Sequence, residues 1–316
     1  MEIVILLETI TCSCCNSNEL YFLYEGKDRL HRLDGNFALF TCHNCGVVTV
    51  RPRLSNEEIQ KYYPYDYISY PCPIQAETSR FKRFDRQFGV TRRRKKIEKY
   101  TKKTEGKILD IGCATGVFLK EMKDHGWEAY GVEPSNYASE IALNQLDLNV
   151  YNCYLDDVNF DDNYFDIVTL WDVFEHLPDP VRTMRIIRRI LKPDGFIVIT
   201  TPNTESWERK IFKQYWAGWD VPRHYNIFSD KAIDRLLKDQ GMQINNLISF
   251  TGMIGAIRIS LDFWLQERQI SDNAMQIISK VYHSSFFRLL LYPYMLTSYL
   301  FHKSTSMTIF ASKNHP

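Results

Sequence analysis

A short acidic segment with two glycines carries the clearest chemical signal in the chain. Asp110 and Gly112 follow an apolar run that begins at Ile108, and Gly116 precedes a second apolar run. A buried strand, a glycine turn and a helix form a cradle for nucleotide-like cofactors, because glycine lets the backbone approach a ligand closely. Asp110 would place a carboxylate at the end of the strand, where open α/β sheets bind ligands. The turn alone is equally compatible with a dehydrogenase.

Segments further along the chain decide between cofactors. The turn resembles the D-x-G-x-G-x-G motif of class I S-adenosylmethionine-dependent methyltransferases, with Ala114 in place of the middle glycine. Glu133 ends the next apolar stretch, and the segments 165–180 and 191–200 resemble the fourth and fifth strands of that family. The resemblance implies an α/β fold, with a doubly wound, seven-stranded Rossmann-like sheet. It also implies S-adenosylmethionine as the methyl donor.

The same resemblance implies a set of donor-binding residues. Glu133 is expected to accept hydrogen bonds from both ribose hydroxyls of the donor, the alternative being a surface acid. After the third strand, the adenine contact falls on backbone groups of Leu155, with Asp156 one step further on. Trp171 follows the fourth strand and is expected over the methionine part or the substrate. The full predicted set is Asp110, Gly112, Ala114, Gly116, Glu133, Leu155, Asp156 and Trp171.

Two histidines are the candidate catalytic residues. Asp172, Glu175 and His176 are spaced so that one helical turn can bring them together. A similar pattern in quinone-ring O-methyltransferases is linked to a divalent metal; the alternative is that Glu175 and His176 only anchor the loop. His224 lies in an aromatic segment, 215–229, and is a candidate general base because its ordinary pKa is near neutral. A structural histidine is the alternative there.

Four cysteines near the start have the spacing of metal ligands. Cys12 and Cys15 form one C-x-x-C pair, and Cys42 and Cys45 form a second. Two such pairs predict a structural zinc ion with tetrahedral thiolate ligands, and four cysteines leave no open position for catalysis. Four buried free thiols are the alternative. We therefore expect a zinc-ribbon-like module over residues 1–52.

The cysteine unit also guides the prediction of the acceptor. Similar units precede the methyltransferase domains of sugar methyltransferases, which favours a sugar or glycan acceptor such as a nucleotide sugar. Two alternatives are an O-methyltransferase of a quinone or lipid precursor, and a non-catalytic binding module that keeps the fold. The expected organisation continues with a helical, tyrosine-rich connector over 53–106 and a methyltransferase domain over 107–316. Residues 253–305 are expected to form a helical insertion within it.

Composition and charge exclude some partners. The 316 residues are 45% hydrophobic and 24% charged, with a net charge of +1, so no global attraction to nucleic acid is expected. The basic run over 91–103 is typical of a solvated helix face. Five tyrosines within 62–70 predict either interdomain packing or a wall of the substrate pocket.

One segment suggests a contact with a membrane. Residues 286–301 are strongly apolar and aromatic, which predicts either a lid packed on the core or a surface docked on a membrane. No stretch reaches the roughly 18 apolar residues that a spanning helix needs. The first eight residues lack the basic start of a secretion signal. The expected location is the cytoplasm, with peripheral membrane contact through 286–301.

Overall fold

The computed structural model of the chain describes residues 11–63, 72–249, 253–268, 270 and 272–314. Its strands are β1 Leu20–Gly26, β2 Phe37–Cys42, β3 Val48–Arg51, β4 Gly106–Ile111, β5 Trp127–Val132, β6 Asn149–Tyr151, β7 Phe165–Trp171, β8 Leu191–Pro202, β9 Asn226–Ile227, β10 Met242–Ile248 and β11 Ser306–Lys313. Its α-helices are α1 Asn56–Ile59, α2 Arg80–Thr101, α3 Val117–Lys123, α4 Asn136–Asn144, α5 Pro180–Ile190, α6 Trp207–Phe212, α7 Asp230–Asp239, α8 Met253–Gln266, α9 Asp272–His283, α10 Ser285–Leu290 and α11 Tyr292–Leu300.

Within these described ranges, seven strands form the central sheet, in the spatial order β6, β5, β4, β7, β8, β11, β10. The strands from β6 to β8 are parallel, whereas β11 runs antiparallel to β8 and β10 runs antiparallel to β11. The prediction of a doubly wound, seven-stranded sheet is confirmed. The chain reverses its direction of travel across the sheet at β4, and such a switch point opens a crevice at the carboxyl ends of the strands.

Local sequence explains why the elements form where they do. Every residue of β7 is buried, as expected for a parallel strand that is covered by helices on both faces. Ser229 caps the start of α7, because its side-chain oxygen accepts a hydrogen bond from the Ala232 N–H at 3.1 Å. These local signals fix the framework that carries the crevice.

A second, smaller sheet combines three strands from the N-terminal part of the chain with one strand that follows β8. In the described residues its order is β1, β2, β3, β9, all antiparallel neighbours. Its inner face packs on Trp216 and Trp219, which share one apolar cluster with Leu39 and Val50. The cysteine-bearing hairpins are therefore completed by a strand from the segment after β8.

Arg223 joins the two parts of the structure from a completely buried position. Its guanidinium pairs with Asp28 at 2.8 Å and with Asp220 at 2.6 Å, and it donates to the carbonyl oxygen of Tyr62 at 2.9 Å. A buried ion pair is strongly destabilising when one partner is removed, by about 3–5 kcal/mol. The network thus locks the small sheet onto the segment before β9.

Several predicted features fall partly outside the described residues. Tyr62 is buried and donates its hydroxyl to the Asp34 carbonyl oxygen, and Tyr63 is half-buried, but residues 64–71 of the tyrosine stretch are not described. The first ten residues, on which the secretion-signal prediction rested, are not described either. Helices α8–α11 lie between β10 and β11. None of the helices in the described ranges is long and apolar enough to cross a bilayer.

Candidate functional site

A cleft of about 1790 Å³ opens at the carboxyl ends of β4, β5 and β7. Helix α2 and helix α11 contribute to its outer walls. Most of the predicted donor-binding residues line it, namely Asp110, Gly112, Ala114, Glu133, Leu155, Asp156 and Trp171. Gly116 is not among the described residues that form its lining. The crevice at the switch point is therefore large enough for a nucleoside ligand and carries the predicted side chains.

Glu133 is fixed at the end of β5 by two backbone groups. The N–H of Ala114 donates to one carboxylate oxygen and the N–H of Ser135 donates to the other, both at 2.9 Å. Burial raises the pKa of this carboxyl, although the two backbone hydrogen bonds oppose the shift. A carboxylate offers about four acceptor positions, so the two that remain can serve a ligand in the cleft. Glu133 is thus held rigidly at the cleft, and its predicted contact with the two ribose hydroxyls stays a prediction.

The glycines of the turn are also required by the packing around them. Gly112 and Gly116 have φ values of +68° and +76°, which L side chains rarely adopt. A Cβ on Gly112 would lie 2.6 Å from Val173, and one on Gly116 would lie 2.5 Å from Leu148. The protein's own side chains therefore also require glycine at both positions, and the expectation that these glycines let the backbone approach a ligand stays a prediction.

Ala114 shows how the turn tolerates the missing middle glycine. Its φ of +48° lies in the left-handed region, which costs an alanine roughly 1–2 kcal/mol. The hydrogen bond from its N–H to Glu133 holds it there. The turn and the carboxylate that faces the ligand therefore position one another.

Asp110 is almost completely buried beneath the turn. The Thr169 hydroxyl donates to its carboxylate at 2.5 Å. Burial raises the pKa of Asp110 to about 7, against the opposing effects of Thr169 and Arg93. Asp110 is thus a partly protonated group that ties β4 to β7 at the floor of the cleft.

Arg93 reaches the cleft, although no pattern in the basic run indicates this. Its guanidinium lies 4.7 Å from the ring centre of Trp171, which also contacts Phe118 edge to face at 5.4 Å. Arg94 pairs with buried Glu121 at 2.9 Å. The prediction that the basic run is a solvated face is therefore wrong for these two arginines. Only tertiary structure could reveal this, because the run has no internal signal that singles them out.

The predicted adenine contacts lie at the rim of the cleft. Leu155 is buried at the start of a 3₁₀ turn over residues 155–157, and its side chain packs in the core. Asp156 is exposed, and its carboxylate accepts from the Arg182 guanidinium at 2.8 Å. Asp156 is therefore committed to a surface ion pair, while the backbone of the turn borders the cleft. The assignment of adenine recognition to these residues stays a prediction.

On the acceptor side, two histidines and one carboxylate lie together. Ligand atoms of Glu175, His176 and His224 all fall within 4.8 Å of one another. The rings of His176 and His224 meet edge to face, with centres 4.6 Å apart. Each Nδ1 lies near a carbonyl oxygen, Arg223 at 3.0 Å for His176 and Gly218 at 2.9 Å for His224. Because a carbonyl only accepts, each Nδ1 carries the proton and each Nε2 keeps its lone pair.

Burial sets the protonation states of this cluster. It lowers the pKa of His176 to about 3, with a contribution from His224, and it also lowers the pKa of His224. Burial raises the pKa of Glu175 well above its usual value. Asp220 behaves differently: burial alone would raise its pKa, but the hydrogen bonds from Arg223, together with the electrostatic effect of Arg223 and His224, hold it low. At neutral pH both imidazoles are therefore uncharged.

The two catalytic candidates occupy different positions. His176 lines the cleft, where the Tyr63 hydroxyl lies 2.9 Å from its Nδ1. His224 is buried behind it and is not among the described residues of the lining. Trp216 is buried with the small sheet, and none of residues 216–224 is among the described residues that line the cleft. Tyr225, the next residue, does line the cleft.

Comparison with known proteins decides the family. Residues 81–247, more than half of the chain, match the family model described as a methyltransferase domain. The chain belongs to this methyltransferase domain family. It therefore contains a class I S-adenosylmethionine-dependent methyltransferase domain. A domain of this kind is an enzyme domain. The hypothesis of a non-catalytic binding module is not retained.

Individual relatives of this methyltransferase are named ubiquinone biosynthesis O-methyltransferases. The ubiquinone biosynthesis O-methyltransferase of Yersinia enterocolitica is 29% identical over 125 residues, covering 37% of this chain and 52% of the relative. That of Nitrosospira multiformis is 28% identical over 167 residues, covering 49% and 70%. The alignments with the Yersinia enterocolitica, Alkalilimnicola ehrlichii and Coxiella burnetii enzymes span about half the length of those relatives or less. The prediction of a sugar or glycan acceptor is therefore wrong, since these relatives are named for ubiquinone biosynthesis.

A solved structure supports the fold alone. The geranyl diphosphate C-methyltransferase of Streptomyces coelicolor shares 13% identity and a TM-score of 0.53, covering 83% of this chain and all of that one.

The cleft in the chain described here fits S-adenosylmethionine. Glu133 has acceptor positions for two hydroxyls, and the buried Nε1 of Trp171 has no hydrogen-bond partner among the described residues.

The four cysteines of this methyltransferase form a separate cluster. The Sγ atoms of Cys12 and Cys45 are 3.5 Å apart, those of Cys15 and Cys42 are 3.6 Å apart, and all four lie within 4.8 Å of one another. Hydrogen bonds from Cys14 and from Cys45 lower the pKa of Cys12, whereas burial raises the pKa of Cys42 and the hydrogen bond with Cys12 raises the pKa of Cys45. The spacing of the cysteines in the sequence thus predicted correctly that the four thiol groups lie close together in the structure.

Proposed function

We propose that the chain is an O-methyltransferase that methylates a phenolic hydroxyl on a quinone-ring or lipid precursor. The observation that carries the proposal is the cluster of Glu175, His176 and His224 beside the donor cleft. S-Adenosylmethionine supplies an electrophilic methyl group when bound. The names of the ubiquinone-biosynthesis relatives support the same class of acceptor.

The residues around His176 suit a flat aromatic acceptor. Tyr63, Val173, Leu177 and Tyr225 line the same part of the cleft, so the acceptor meets aromatic and aliphatic side chains there. Such walls hold a ring and exclude water, and the cleft contributes mainly by orienting the hydroxyl oxygen toward the donor. Asp110 and Glu133 hold the donor on the opposite side.

Two roles for the histidine cluster follow from its uncharged state. Two neutral imidazoles and one carboxylate form a donor set that suits a divalent cation. A cation held by Glu175, His176 and His224 would polarise the acceptor hydroxyl as a Lewis acid. Without a cation, the free Nε2 of His176 would accept the proton directly.

Methyl transfer to small catechols tests the proposal. Purified protein, labelled S-adenosylmethionine and a catechol should give a methyl ether, whereas a nucleotide sugar should give no product. His176→Gln should lower kcat about 100-fold or more without changing the affinity for S-adenosylhomocysteine, and His125→Gln, at an exposed surface position, serves as its control. Activity that a chelator abolishes and that added Zn²⁺ or Fe²⁺ restores assigns the cation role. Activity on the sugar but on no phenol contradicts the proposal.

We also propose that Cys12, Cys15, Cys42 and Cys45 hold a structural zinc ion. Zn–S bonds of about 2.3 Å in a tetrahedron need sulfur atoms about 3.8 Å apart, which the observed separations approach. Elemental analysis should find one zinc per chain, and Cys42→Ser should lose it. Cys72→Ser, at an exposed cysteine outside the cluster, should keep it. Metal-free protein from a zinc-replete preparation contradicts this site.

A further inference from the structure

Helix α2 carries an exposed aromatic ridge that the donor site does not use. Phe81, Phe84 and Phe88 recur at helical spacing on one side of α2, and their exposed fractions are 71%, 69% and 57%. The rings of Phe84 and Phe88 are stacked with centres 6.4 Å apart. Exposed aromatic groups in a contiguous patch mark an interaction surface rather than an ordinary one.

A second apolar surface lies across the mouth of the same cleft. On α11, Tyr292, Leu296 and Leu300 recur every four residues, and all three are exposed. Tyr292 and Leu296 line the cleft from one side, and Phe88 lines it from the other. The two surfaces therefore flank one entrance.

The charges around these surfaces have one sign. Helix α2 contains ten basic residues and two acidic ones, and its exposed stripe continues past Phe88 with Arg92, Lys95 and Lys99. The segment 273–301 contains no acidic residue. A second copy of the chain would bring like charges together, whereas an anionic surface would neutralise them. Aromatic side chains combined with lysine and arginine are typical of a helix that lies at a lipid interface.

We infer that α2 and α11 together form a docking surface for an anionic phospholipid bilayer, with the mouth of the cleft facing the lipid. The phenylalanines enter the boundary between headgroups and acyl chains, and the cations of α2 bind lipid phosphates. An acceptor with an apolar tail would then reach the cleft from the bilayer without crossing water. Only this last step rests on the proposed function.

Vesicle sedimentation tests the docking surface without donor or acceptor. The full chain should pellet with vesicles of phosphatidylcholine and phosphatidylglycerol (3:1), and it should stay in solution with pure phosphatidylcholine. F81S/F84S/F88S should weaken the partition by about tenfold or more, because burial of each ring is worth roughly tenfold. L296S/L300S should weaken it as well. Y21S/F22S, at exposed aromatics on β1 outside the cleft, should bind like the wild type.

A charge variant and an oligomer measurement complete the test. R92E/K95E/K99E should lower binding to anionic vesicles, since each cation near such a surface contributes roughly fivefold. Circular dichroism melting must show that each variant is folded, which their exposed positions favour. Wild-type protein that ignores anionic vesicles overturns the inference, as does binding that is indifferent to the phenylalanines. A stable dimer that F81S/F84S/F88S converts to monomer, without vesicle binding, assigns the surface to self-association instead. Failure here leaves methylation of soluble catechols unaffected, so the two proposals fail separately.

Discussion

Replacement of Glu133 by glutamine should abolish tight binding of the donor while leaving the fold intact. In the structure each carboxylate oxygen accepts one backbone N–H at 2.9 Å, from Ala114 and from Ser135. A glutamine would turn its NH₂ group toward one of these N–H donors. Glutamine would also have only one oxygen to accept hydrogen bonds from the ligand. The substitution would therefore weaken both the backbone contacts and the ligand contacts of this side chain.

The expected loss follows from the two hydroxyl hydrogen bonds assigned to Glu133. Hydrogen bonds to charged groups contribute about 1.5–3 kcal/mol each, so the pair is worth about 3–6 kcal/mol. A loss of about 3 kcal/mol raises Kd by more than about 100-fold. Stability should change little, since Glu133→Gln also removes the cost of burying a charge.

Isothermal titration with S-adenosylhomocysteine measures the effect, and thermal unfolding by circular dichroism checks the fold. Glu128→Gln is a matched control, because Glu128 lies on the same strand with its side chain exposed and paired with Lys107. The control should bind within about twofold of the wild type. Folded Glu133→Gln protein that binds S-adenosylhomocysteine within about threefold of the wild type would refute the assignment of this residue.

Three other substitutions probe the buried charges. Arg223→Met should lower the free energy of unfolding in urea by about 3–5 kcal/mol, because it strands buried Asp28; an unchanged midpoint contradicts the network. Since burial lowers the pKa of His176 to about 3, the unfolded chain alone takes up that proton below about pH 6.5. Stability should therefore fall from pH 7 to pH 4, and His176→Gln should flatten the decline in melting temperature; an equal slope in both proteins opposes this. Because burial raises the pKa of Asp110 to about 7, its contribution to stability is lost as pH rises, so Asp110→Asn should melt higher at pH 8 while binding S-adenosylhomocysteine more weakly. If Asp110→Asn melted at a lower temperature than the wild type at pH 8, burial of the ionised Asp110 carboxylate would not be destabilising.

The donor side of the site was largely predictable because its residues follow consecutive strands. Asp110 and Glu133 each end an apolar run, and parallel strands bring their carboxyl ends to one edge of the sheet. The resemblance to the methyltransferase family implied both the seven-stranded sheet and the donor. The structure adds a steric reason for the two glycines that the sequence could not reveal.

The acceptor side was less predictable because it depends on contacts between distant parts of the chain. His224 looked like a free general base in an aromatic segment, yet that segment folds under the small sheet and buries it. Arg93 looked like one of many surface cations, yet it lies on Trp171. The local spacing of hydrophobic residues predicts whether a segment forms a helix or a strand. It does not predict which distant segment will pack against that helix or strand.

The pairing of β9 with β3 has a consequence for how this protein can be divided. A fragment that ended before β9 would leave the cysteine hairpins with an open edge, and a catalytic fragment lacking them would uncover Trp216 and Trp219 to solvent. The cysteine unit is therefore not an independently folding domain that recombination could move to another protein. Expression of the cysteine fragment alone, or of the catalytic fragment alone, should yield insoluble protein.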